Sequence, residues 1–139
     1  MFITEDDYKV VIGDTAMKVV SQASAENRAN VRIAGEVEIS GYLRPKYDCD
    51  AVFAAEGEKR NHQIVMFTCD IALYHMVSAM PQKMGSDIRK ERYERAIKWL
   101  EGVQSGKIVP DLPLVLDDNG EMVGSSIVYG CQRKLRHNW

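Results

Sequence analysis

The sequence predicts an all-α protein: a compact bundle of four or five helices, followed by a C-terminal β-hairpin and an extended tail. Three observations carry this prediction. Apolar residues recur at helical spacing through most of residues 5–105. Gly and Pro divide those stretches into blocks. After Gly106 the pattern changes to short apolar runs around an Asn-Gly pair. The chain therefore reads as a helical domain over residues 1–107 and a hairpin with a basic tail over 108–139.

Each element has a local reason. Thr4, followed three residues later by Asp7, has the spacing of a helix N-cap, with acids filling the first turn where the helix dipole favours them. That helix should stop at Gly13, and Asp14 can cap a second short one through Val20. Ser21-Gln22-Ala23-Ser24 reads as a loop. From Glu26 to Leu43, Val31, Ala34, Val37 and Tyr42 mark a narrow apolar face that closes before Pro45. Lys46 to Gly57 reads as a loop carrying Asp48 and Asp50.

The longest helix is expected from Lys59 to Met80, before Pro81. Its stripe of Ile64, Phe67, Ile71, Tyr74 and Ser78 is widened by Val65, Ala72, Met76 and Ala79, which makes it the most buried element. A further helix, Asp87 to Ser105, should bury Ile88, Tyr93, Ala96, Leu100 and Val103 and expose Arg89, Lys90, Glu94 and Glu101. Gly106 supplies its stop. Leu112–Leu116 and Glu121–Val123 are expected to pair around Asn119-Gly120, with Ser126 to Tyr129 extending the second arm. Residues 131–139 show no period and read as a tail.

Composition narrows the function classes. At 139 residues, 45% hydrophobic and 27% charged, the chain has the proportions of one globular domain. A net charge of −2 and a pI near 5.9 argue against a whole-domain nucleic-acid binder. Cys49, Cys69 and Cys131 are odd in number and form no C-x-x-C pair, which favours a reducing cytosolic setting over a zinc site or disulfide framework. The acidic start and the lack of a long apolar run predict neither secretion nor a membrane span.

No motif points to catalysis. Asp117-Asp118-Asn119-Gly120-Glu121 superficially matches a calcium loop, but the twelfth position is Val128 and not the required Glu. His62, His75 and His137 are scattered, and Cys69 reads as a buried thiol. Asp48, Asp50, His75 and Cys69 are the residues an enzyme would have to use. Nucleophile-elbow, P-loop and dinucleotide fingerprints are missing. The expectation is a non-enzyme with no catalytic, cofactor-binding or metal-binding residues.

Charge placement says more. Residues 1–14 hold four acids against one base, whereas residues 131–139 hold three bases and no acid. Such ends suit complementary patches on neighbouring copies, with Arg133, Lys134, Arg136 and Trp139 as the expected contacts. The alternative is a small helical nucleic-acid-binding or regulatory protein, using Arg89, Lys90, Arg92 and Arg95 as a basic face. Glu91 and Glu94 interrupt that face.

Several of these stretches together resemble a known family. The acidic N-terminal helix, Ile39-Ser40-Gly41-Tyr42-Leu43-Arg44-Pro45-Lys46-Tyr47, Asp70-Ile71-Ala72-Leu73-Tyr74 and Arg92-Tyr93-Glu94-Arg95-Ala96-Ile97-Lys98-Trp99-Leu100, with the Gly106 stop, are similar to the Mu-like phage and prophage head–tail connector (adaptor) family. The resemblance covers about residues 1–112. It implies a helical structural protein that forms a ring of its own copies at the portal vertex and contacts portal and tail-completion proteins. It also implies residence in the host cytoplasm during assembly and then at the head–tail junction of the virion. Membrane association is not implied, and direct nucleic-acid binding is disfavoured.

Overall fold

The structure is a computed structural model, and residues 1–79 and 86–121 are described. Six α-helices are present among them: α1 (Glu5–Ile12), α2 (Asp14–Val20), α3 (Ala25–Leu43), α4 (Cys49–Ala54), α5 (His62–Ser78) and α6 (Ser86–Gln104). The mostly helical expectation holds, with one helix more than the upper number expected. A single 3-10 turn, Gly57–Lys59, precedes α5.

Local chemistry sets the boundaries. The Thr4 hydroxyl accepts from the Asp7 amide, and the Asp7 carboxylate accepts from the Thr4 amide at 2.7 Å, a reciprocal capping box. Half of the expected loop at Lys46–Gly57 is instead α4. Asp48 accepts from the Ala51 amide at 3.1 Å and caps that helix, while Val52 buries against the core. The next helix starts three residues later than expected. Asn61 accepts from the amides of Gln63 and Ile64 and fixes His62 as its first residue. The expected end at Met80-Pro81 lies outside the described residues.

Helices α3, α5 and α6 pack on one another and form the centre of the fold, with α1 against α5 and α4 against α3. Ile39, Leu43, Ile64, Ile71, Leu73, Met76 and Leu100 are fully buried. Helix α5 is the most buried, as its wide stripe predicts. The face of α3 is rotated from the expected one. Gly35, Ile39, Ser40 and Leu43 point inward, and Val37 is 63% exposed. Gly35 explains the rotation: a Cβ there would sit 3.4 Å from the Thr68 carbonyl oxygen, so the two helices meet where α3 has no side chain. On α6, Ala96, Leu100 and Val103 are buried as expected, but Ile88 is 58% exposed and Arg89 is half-buried.

After α6 the chain reverses at Gly106, whose φ of 81° needs glycine. The Ile108 amide donates to the Gly102 carbonyl at 3.0 Å, and its side chain covers Gly102. Leu112 then buries in the helical core. This segment bridges Tyr47 through Leu114 in antiparallel register, a partner the sequence did not announce. The Asp48 amide donates to the Pro113 carbonyl at 2.9 Å and the Val115 amide to the Lys46 carbonyl at 3.1 Å. The Asp117–Gly120 turn forms as expected, with Gly120 at φ 77° and its amide on the Asp117 carbonyl. The second arm, 122–129, and the tail lie outside the described residues.

Candidate functional site

Three polar seams tie the helices together. Asp70, the one acid of α5, is 3% exposed, and Arg92 of α6 grips it with Nε at 2.7 Å and Nη2 at 3.3 Å. Glu38 of α3 joins two helices at once, accepting from the Tyr93 hydroxyl at 2.6 Å and lying 3.0 Å from His75 Nε2. Tyr93 stacks on Tyr74 at 4.2 Å between ring centres. Burial, then the adjacent Glu38, raise the Tyr93 pKa well above the ordinary phenol value. The third seam ties the N-terminus to the start of α5. Arg60 donates to both Asp7 oxygens, at 2.7 and 3.2 Å, and to the Phe2 carbonyl.

These seams dispose of much of the charge that the sequence displays. Burial opposes ionisation of Asp7, but bonds from Arg60 and Thr4 outweigh it and lower its pKa. Glu5 pairs with Arg28 and Asp6 with Lys9. The acidic N-terminus is therefore mostly neutralised within the chain. The basic run on α6 is divided too: Arg92 holds Asp70, Lys90 lies 3.9 Å from Glu94, and burial and then Arg92 lower the Arg89 pKa. Only Arg95 of that run is exposed and outside any ion pair among the described residues.

The residues an enzyme would need are dispersed. Cys69 is fully buried, and burial raises its pKa above the ordinary thiol value. His75 faces Glu38. Asp48 caps α4, and Asp50 is exposed. No group of three metal-ligating side chains occurs among the described residues. No helix among them is long and apolar enough to cross a membrane. Arg133, Lys134, Arg136 and Trp139 lie outside the described residues.

What the fold does assemble is a pair of open grooves with rims of opposite charge. The first, about 720 Å³, runs between α3 and α4. Val37, Tyr47, Phe53 and Val115 line it, with Glu36, Asp48 and Asp50 at its edge beside one base, Arg44. Cys49 also lines it; it is half-buried, and burial raises its pKa. The adjoining stretch 48–58 holds four acids and no base. None of Asp48, Asp50, Glu56 and Glu58 is in an ion pair among the described residues.

The second groove, about 740 Å³, lies where α5, α6 and the segment after α6 meet. Met66, Phe67, Trp99 and Ile108 give it an apolar floor, and Arg95, Lys98 and Lys107 outnumber Glu101 on its rim. Sequence reasoning missed both grooves because each draws on elements distant in the chain. The acidic cluster at 48–58 was the one signal available for them.

A family model described as Bacteriophage Mu, Gp36 matches residues 2–125. No curated protein and no solved structure matches the chain.

Proposed function

Because the chain belongs to the bacteriophage Mu Gp36 family, we propose that this phage protein is a structural head–tail connector that oligomerises at the portal vertex. It joins head to tail through protein–protein contacts, with portal and tail-completion proteins as partners. It performs no catalysis, works in the host cytoplasm during assembly and remains at the head–tail junction of the virion. The family match over residues 2–125 carries this reading. The two grooves support it. A ring needs two different patches per copy, one to meet the other on the next copy. The groove edge that carries Asp48 and Asp50, continued along the chain by Glu56 and Glu58, and the Arg95, Lys98 and Lys107 rim supply such a pair. Arg133, Lys134, Arg136 and Trp139 add contacts from the tail.

The test is genetic and structural. In a phage or inducible prophage carrying this gene, its disruption should leave heads and tails that accumulate separately; an undiminished yield of tailed particles would overturn the reading. Deleting residues 130–139 should leave the protein folded and reduce its incorporation into particles. Unchanged incorporation would remove the tail from the interface.

A further inference from the structure

The groove between α3 and α4 is unusual in what flanks it. Its lining mixes apolar side chains, Val37, Tyr47, Phe53 and Val115, with the acids Glu36, Asp48 and Asp50, and Val37 is 63% exposed. The adjoining stretch holds four acids without an ion-pair partner among the described residues. The rest of the charge ledger identifies an occupant. Residues 1–47 hold seven acids and six bases and residues 59–121 nine of each, whereas residues 131–139 hold three bases, no acid, and Leu135 and Trp139. Within the chain, this is the segment that combines positive charge with large apolar side chains in the proportion the groove lacks.

Geometry favours the same chain as its source. Val115 lines the groove, so the chain passes its edge just before the Asp117–Gly120 turn. That turn is closed by the Asp117 amide on the Glu121 carbonyl at 2.7 Å, and the Asp117 carboxylate accepts from the Asn119 and Glu121 amides. Nine residues lie between Glu121 and Cys131. They can span about 30 Å when extended, ample to return to a groove the chain has just left. A tethered segment also has an effective concentration of about millimolar, which a separate copy in dilute solution does not match.

We propose that, in the free chain, the groove between α3 and α4 is the docking site of the chain's own basic C-terminal segment, residues 131–139. Arg133, Lys134 and Arg136 face the acids at 48–58, and the apolar side chains of the segment cover Val37, Phe53 and Val115. The same acidic edge is then unavailable to a neighbouring copy until the segment leaves. Docking within the free chain does not depend on the connector reading, and its test uses purified protein without particles.

The chain carries its own probes. Cys49 lines the groove, Cys131 opens the basic segment, and Cys69 is fully buried. Treating the full-length protein with a short bis-maleimide at low concentration should give a cross-linked monomer bridged between Cys49 and Cys131, identified by peptide mass mapping. The full-length variant R133E/K134E/R136E changes only tail charges and should lower that yield at least about fivefold, the equivalent of about 1 kcal/mol of ion pairing. Combining it with D50K/E56K/E58K should restore the yield. A cross-linked dimer as the main product would place the segment on another copy and overturn the proposal. So would singly modified thiols without a bridge, or a yield that the charge reversal leaves unchanged.

Discussion

Asp70 and Arg92 form a two-pronged ion pair across the α5–α6 contact, with one partner buried and the other a third exposed. The carboxylate sits in the most apolar of the described helices, where a buried polar group is costly without a partner. Its value therefore shows when one member is removed. Arg92→Ala should destabilise the fold by about 2–3 kcal/mol in urea denaturation. That is below the cost of breaking a fully enclosed pair, because Arg92 is partly solvated. Asp70→Asn, which removes the charge but keeps the shape, should cost less. A larger loss for Asp70→Asn than for Arg92→Ala would contradict this account.

Asp7 makes the stability pH-dependent at its acid end. Its pKa is lowered below the ordinary value of 3.8 in the folded state. The stability it contributes is therefore complete above that ordinary value and is lost as the pH falls through the lower, folded one. Denaturation of the wild type and of Asp7→Asn should differ most near neutrality. The gap should narrow only below about pH 4. A gap that closes already at pH 6 would mean that another group governs it.

Two glycines on α3 should respond in opposite ways. At Gly41 an added Cβ meets nothing within 4 Å, so Gly41→Ala should stabilise by about 0.5–1 kcal/mol through helix propensity. At Gly35 the nearest atom is the Thr68 backbone oxygen, which cannot turn aside. Gly35→Leu should destabilise by about 1–3 kcal/mol or more. Thermal unfolding of the two variants checks both signs.

Tyr93 tests the seam through Glu38. Tyr93→Phe removes one hydrogen bond to a carboxylate and keeps the ring stacked on Tyr74. The loss should be about 1 kcal/mol at this half-buried site. It should be smaller in a Glu38→Gln background, because the charged acceptor is gone. A double-mutant cycle with no coupling would show that the bond adds nothing to the fold.

What could be read in the sequence depended on where the signal resides. The capping box at Thr4 and Asp7, the stop at Gly13, the breadth of the α5 stripe and the reversal at Gly106 are all encoded within a few residues of the place they act. The α3 face was misjudged because Val37 looks like a core residue by type, whereas Gly35 sets the contact by having no side chain. Helix α4 was missed because six residues show too little periodicity, and its cap, Asp48, reads equally well as loop chemistry. The pairing of Leu114 with Tyr47 leaves no local trace. Alternating residues with an Asn-Gly turn look like half of a hairpin whichever strand they join. The acidic N-terminus was legible as charge, but the Arg60 and Arg28 that neutralise much of it come from elsewhere in the chain.

The bridge between Tyr47 and Leu114 also bears on the order of events in folding. It joins positions 67 residues apart in the chain, while the capping box and helical turns close over three or four. Closing so large a loop costs entropy that one bridge and its two flanking hydrogen bonds cannot offset alone. Helices α3, α5 and α6 must dock first and bring its ends together, which makes this pairing a late step on the folding pathway. Weakening it with Leu114→Ala should accordingly hasten unfolding and leave the refolding rate nearly unchanged.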